Sequence, residues 1–130
     1  MQRVVLVDED AERCHDASEV LRAAHYQVTT CPEPGGAFAC VCETQPDVVI
    51  LDMPSHLRTG CQLLNQLKQQ EETEAIPILL AWPPGTLLDT EQHTFEERGV
   101  HLLPQPLACS QLPTYVADVL ISRSHAHHSQ

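Results

Sequence analysis

The run Asp47-Val48-Val49-Ile50-Leu51-Asp52 constrains the fold of this chain more than any other stretch. Four consecutive β-favouring apolar residues without alternation describe a strand buried on both faces, as in a parallel sheet covered by helices on either side. Asp52 falls where that strand should end. In open parallel sheets ligands gather outside the carboxyl ends of the strands, so a carboxylate placed there faces the side where chemistry occurs. Val4-Val5-Leu6-Val7 repeats the arrangement and runs into Asp8, Glu9 and Asp10. Two such strands, each stopping on acid, predict one shared acidic pocket.

The rest of the chain alternates helix and strand signals. Asp10 can cap a helix in which Cys14, Ala17, Leu21 and Ala24 recur at helical spacing, with Glu12, Arg13, His15, Asp16 and Glu19 assigned to solvent, running to about His25. Tyr26–Cys31 suits a short second strand. After Pro32–Gly36 comes a small-residue helix, Ala37–Glu43, ended by Gln45-Pro46. Met53–Gly60 reads as a loop, and Leu63, Leu64 and Leu67 mark a third helix from Cys61 to about Gln70. Ile76–Ala81 gives a fourth strand with Pro77 near its beginning, Trp82–Gly85 a turn, and Thr86–Arg98 a thinly apolar helix. Val100–Leu103 is a fifth strand, closed by Pro104-Gln105-Pro106. The final helix follows Ser110 as cap and Pro113 in its first turn, with Leu112, Val116, Val119 and Leu120 on one face. Strand and helix alternate five times, which predicts an α/β fold: a doubly wound five-stranded parallel sheet with right-handed crossovers, in a single domain. The domain is expected over residues 1–122, with 123–130 as a disordered tail.

With 130 residues, one domain can bury roughly two-thirds of its unfolded surface without disulfides. The net charge of −11 leaves too few Lys and Arg to neutralise several phosphates, which argues against nonspecific binding to nucleic acid; a protein partner or a cation is expected instead. The absence of a long apolar run or signal-like start predicts a cytoplasmic protein with no membrane contact. The six cysteines contain no Cys-x-x-Cys pair and read as reduced, small apolar residues. His125, His127 and His128 fall in the expected tail and read as a frayed terminus.

Carboxylates after the first and third strands can share a hard divalent cation such as Mg²⁺, which prefers oxygen ligands. Without a cation, like charges at close range would raise one another's pKa. The sequence Val-Leu-Val-Asp8-Glu9-Asp10, the run ending at Asp52, Gly60 eight positions later, Ile-Pro-Ile-Leu-Leu and Gly99 to Pro106 together resemble the receiver domain of bacterial two-component response regulators. The resemblance runs from about Arg3 to Leu120. It implies a flavodoxin-like fold and phosphoryl transfer from a partner histidine kinase to Asp52. It also implies Mg²⁺ held by Asp8, Glu9 and Asp52 with the backbone carbonyl of Pro54, the ion offsetting charge on the transferred group.

Three positions depart from that family. Trp82 stands where a Thr or Ser hydroxyl is expected, Gln105 where a Lys is expected, and Leu102 where relatives often carry a Tyr or Phe. Trp and Gln supply neutral donors only. Losing the hydroxyl and the ammonium removes ~3–6 kcal/mol of stabilisation specific to a phosphorylated state, comparable with the ~5.5 kcal/mol needed to drive a two-state switch from off to on. Pro54 also restricts Met53 to extended conformations and so bears on the metal-binding carbonyl. Trp82 reads as a large cap on its strand or as a cover over the pocket; His56 reads as a solvent-facing loop residue.

The reading that follows is an atypical, stand-alone receiver-like domain that signals through protein–protein contact, with Asp52 as the candidate phosphoacceptor and an impaired switch. No enzyme activity of its own is expected. The family's usual surface, the fourth helix with the fifth strand and the final helix, would serve a signalling partner or a homodimer. A conventional Mg²⁺-dependent response regulator is the alternative. An aspartate-nucleophile phosphatase is more remote, because Pro54 fills the position of its acid. Flavin binding is opposed by Asp8, Glu9 and Asp10, which would repel its phosphate.

Overall fold

Every one of the apolar runs singled out above pairs as a parallel strand. The computed structural model describes residues 1–53, 57–82, 97–104 and 108–128. Its strands are β1 (Arg3–Asp8), β2 (Gln27–Cys31), β3 (Val48–Asp52), β4 (Ile78–Trp82) and β5 (Val100–Pro104); its described helices are α1 (Ala11–Ala23), α2 (Ala37–Thr44), α3 (Leu57–Gln69) and α4 (Leu112–His128). The sheet order is β2-β1-β3-β4-β5, parallel throughout. The doubly wound five-stranded sheet expected from the sequence is present.

Because successive side chains on a strand point to opposite faces, each run feeds two cores at once. Val4, Leu6, Val48, Ile50, Leu79 and Leu103 pack with Cys14, Ala17 and Leu21 of α1 and Leu112, Val116 and Val119 of α4. Val5, Val7, Val49, Leu51, Ile78, Leu80 and Val100 pack on the other side with Ala37 and Val41 of α2 and Leu63, Leu64 and Leu67 of α3. Burial of one such large side chain is worth ~1.5–3 kcal/mol. Most of that gain offsets the entropy of ordering the chain, so strands that end on buried acids still need a local partner for the charge.

Several boundaries differ from expectation. The first helix stops at Ala23, not His25, because His25 adopts φ 72° and reverses the chain into β2. Gln45, at φ 48°, ends α2 as expected, its N–H donating to Val41 O over 2.8 Å. The third helix begins at Leu57 instead of Cys61: Gly60, read as loop, is buried inside it, and a Cβ there would lie 3.9 Å from Met53 Cβ. Strand β4 starts after Pro77, which lacks the N–H a strand interior needs, and runs on through Trp82, where a turn was expected. Pro104 likewise belongs to β5, in register with Trp82. Ser110 lies in a 3₁₀ turn, Cys109–Gln111, ahead of α4. The helix then continues over residues 123–128, set outside it by the sequence reading. Ser-Arg-Ser-His-Ala-His-His has no apolar stripe, but it has no Gly or Pro to stop a helix either.

Candidate functional site

Parallel register places Asp8 at the end of β1 directly beside Asp52 at the end of β3. Both share the pleat parity of Leu6 and Ile50, so their side chains belong to the face covered by α1 and α4. Both are buried, Asp8 at 1% and Asp52 at 3% exposure. Two carboxylates side by side with so little water must be compensated.

Among the described residues a compensating group is Arg13, from the first turn of α1. Its Nη2 donates to Asp8 Oδ1 over 2.7 Å and its Nε to Asp8 Oδ2 over 2.9 Å, a two-pronged contact with a single carboxylate. The same Nε lies 3.0 Å from Asp52 Oδ2. Planar guanidinium geometry suits this fork, and charge-assisted contacts of this kind are among the stronger hydrogen bonds in proteins. The hydrogen bond to Asp8 raises the Arg13 pKa above its ordinary value, and the charges of Asp52, Asp8 and Asp10 add to the effect against a smaller opposing influence of burial. Arg13 carries its positive charge at any pH the fold survives.

Asp10 holds Arg13 in place. Its backbone N–H donates to Asp8 Oδ1 over 2.9 Å, and its side chain caps α1 by accepting from Arg13 N over 3.0 Å. That cap bond is the main reason the Asp10 carboxyl sits below its usual pKa. The expected cap is therefore real, and it does more than begin a helix: it sets the residue that crosses the rim.

The sequence reading assigned Arg13 to solvent, and this is corrected: its side chain is only 30% exposed and spans the two acids. A signal was present. Arg13, Ala17 and Leu21 stand four residues apart and so share one stripe of the helix, the stripe that faces the sheet.

Glu9 is half-buried beside the pair. However, no group of three or more His, Cys, Asp or Glu side chains among the described residues is placed to hold a metal ion. Among the described residues, the two expected acids Asp8 and Asp52 form a pair bridged by a cation. Magnesium does not fit this arrangement: the oxygens are hard donors of the right kind, yet both oxygens of Asp8 and Oδ2 of Asp52 already face Arg13 nitrogens. Beyond the pair, Ala81 of β4 lies in register with Asp52, and Trp82 follows it. Trp82 is described by its backbone alone. Leu102 is half-buried against the α2–α3 core. Pro54, His56, Gln105 and most of the helix expected over Thr86–Arg98 lie outside the described residues.

A second cation, this one buried, has no counterpart in the sequence reading. Lys68 of α3, 9% exposed, donates from Nζ to Glu74 O over 3.0 Å and to Ile76 O over 2.8 Å. Burial lowers its pKa to about 8, with the Arg98 charge contributing in the same direction and Glu74 opposing. All six cysteines are free thiols; burial raises the pKa of Cys14, Cys31 and Cys109, in keeping with packing rather than reactivity.

Comparison with known proteins agrees with this architecture. Residues 4–114 match the family model of the response regulator receiver domain. Protein PilH of Pseudomonas aeruginosa is 29% identical over 80 residues, covering 62% of this chain and 66% of PilH, slightly less than two-thirds of that relative's length. Among solved structures, a response regulator from Desulfuromonas acetoxidans aligns with TM-score 0.74 at 22% identity, covering 93% of this chain and 98% of that one. The chemotaxis response regulator CheY4 of Vibrio cholerae aligns with TM-score 0.76 at 23% identity, covering 92% and 98%. NtrX from Brucella abortus gives TM-score 0.78 at 17% identity, with 98% of this chain covered and 28% of NtrX.

Proposed function

Since the chain belongs to the response regulator receiver domain family, we propose that it is an atypical receiver that works in two-component signalling through protein–protein contact, with Asp52 as its phosphoacceptor. The observation that carries this is the buried pairing of Asp8 with Asp52 at the carboxyl ends of adjacent strands. In the transfer, an Asp52 carboxylate oxygen bonds to the phosphorus of a phosphohistidine on a histidine kinase. The P–N bond breaks, its electron pair leaves with the imidazole nitrogen, and that nitrogen takes a proton from solvent. Trp82 and Gln105, in place of a hydroxyl and an ammonium, weaken the conformational response to that event.

The atypical reading is favoured over the conventional Mg²⁺-dependent one by Arg13, which supplies the rim with a positive charge from the chain itself. At 3% exposure Asp52 meets a phosphodonor only after its surroundings shift, so labelling is slow. The partner face is the family's usual one, built here on β5 and α4; α4 carries an exposed large apolar residue, Ile121. The test is incubation with acetyl phosphate, with and without Mg²⁺, read by intact mass. A slow gain of one phosphoryl group that is absent from Asp52→Asn supports the reading. Fast, strictly Mg²⁺-dependent labelling favours the conventional regulator, and a gain that persists in Asp52→Asn removes Asp52 as acceptor.

A further inference from the structure

We propose that Arg13 is the resident cation of the Asp8–Asp52 rim and excludes Mg²⁺, so that a divalent ion binds only when the guanidinium has left. This rests on reading the rim as the working site. Asp8 Oδ1 accepts from both Arg13 Nη2 and the Asp10 N–H, and Asp8 Oδ2 accepts from Arg13 Nε. An ion bound to either oxygen at about 2.0–2.1 Å would share it with a nitrogen at 2.7–2.9 Å. Cation would then sit against cation in a site whose carboxylates are almost wholly buried. The charges of the buried pair point the same way: one guanidinium against Asp8 and Asp52 leaves a single negative charge, whereas guanidinium and Mg²⁺ together would set three positive charges against two, an excess that falls to Glu9 and Asp10, the more exposed acids of the rim, to offset.

The same contacts give Arg13 a positioning role. It joins the first turn of α1 to the ends of β1 and β3, and its departure exposes both acids together. Divalent cation binding and withdrawal of the Arg13 guanidinium from the rim are therefore one event, while Cys14, Ala17 and Leu21 keep α1 packed on the sheet.

The experiment is calorimetric titration of MgCl₂ into the full chain and its variants, with thermal melts in parallel. Wild type is expected to bind weakly, and Arg13→Gln to lower the apparent Kd by roughly 10- to 100-fold, the range that the loss of one charge-assisted hydrogen bond corresponds to. Adding Asp52→Asn to Arg13→Gln is expected to abolish the gain. Arg13→Lys, which keeps the charge and loses the fork, should fall between the two. If Arg13→Gln folds only in Mg²⁺, recovery of far-UV ellipticity on adding the ion counts as the gain. Equal affinity in wild type and Arg13→Gln overturns the proposal. So does failure of Arg13→Gln to bind or be rescued while Arg13→Lys binds no tighter than wild type. Because calorimetry reads the ion without phosphotransfer, a metal gain with no labelling at Asp52 would leave this inference standing and defeat only the phosphoacceptor assignment.

Discussion

The two ends of the sheet hold their cations in opposite ways. At the carboxyl end, Arg13 lies between two carboxylates, and the hydrogen bond to Asp8 together with the charges of both raises its pKa. At the amino end, Lys68 lies among backbone carbonyls, and burial lowers its pKa to about 8. Carbonyl dipoles satisfy the ammonium's hydrogen bonds without neutralising its charge, whereas carboxylates do both. One end is thus an ion-paired arrangement open to a competing cation, and the other is a desolvated ammonium that responds to protons at mildly alkaline pH.

The largest expected effect comes from removing the fixed charge. Arg13→Gln leaves two buried acids facing each other and should cost ~3 kcal/mol in urea denaturation without divalent ions. The loss should shrink when Asp52→Asn is added, so a double-mutant cycle reads the coupling directly. A strictly additive cycle would mean that the Arg13–Asp52 contact carries nothing.

The amino end should yield a smaller, pH-dependent effect. Lys68 has its folded pKa below the ordinary 10.5, so between about pH 8 and 10.5 the unfolded chain binds more protons and stability rises with pH. Compared with Lys68→Met across that window, wild type should gain ~1–3 kcal/mol. No trend in the difference would show that the ammonium is as well accommodated as in water.

Gly99 sharpens the contrast further. It adopts φ +78°, and a Cβ there would lie 3.4 Å from Lys68 Nζ. Gly99→Ala should cost ~1–2 kcal/mol from backbone conformation, with the Lys68 pKa moving as its surroundings tighten. If NMR titration finds the lysine unmoved, the two residues are independent. The smallest effect belongs to Asp10→Ala, which removes the α1 cap; thermal melts should show a modest fall that Asp10→Asn largely restores, since asparagine keeps an acceptor oxygen.

The strands were legible because Val48–Leu51 and Val4–Val7 are apolar at every position, and only a sheet covered on both faces buries such runs. Boundaries were less legible where backbone conformation, not side-chain pattern, decided them: the left-handed turn at His25, the glycine inside α3, the proline preceding β4. The cations escaped notice for a related reason. Arg13 shares a stripe with Ala17 and Leu21, and Lys68 with Leu64, but a charge on an otherwise apolar stripe reads as solvent-facing unless its partner is known.

From residues alone come the parallel sheet, its two-sided core and the presence of acid at the ends of β1 and β3, since alternation along a strand is a local property that pairing merely reveals. Tertiary structure decided what answers those acids. The destination of a long charged side chain depends on which groups distant parts of the chain bring within its reach, and at this rim β3 brings Asp52 beside the Asp8–Arg13 pair.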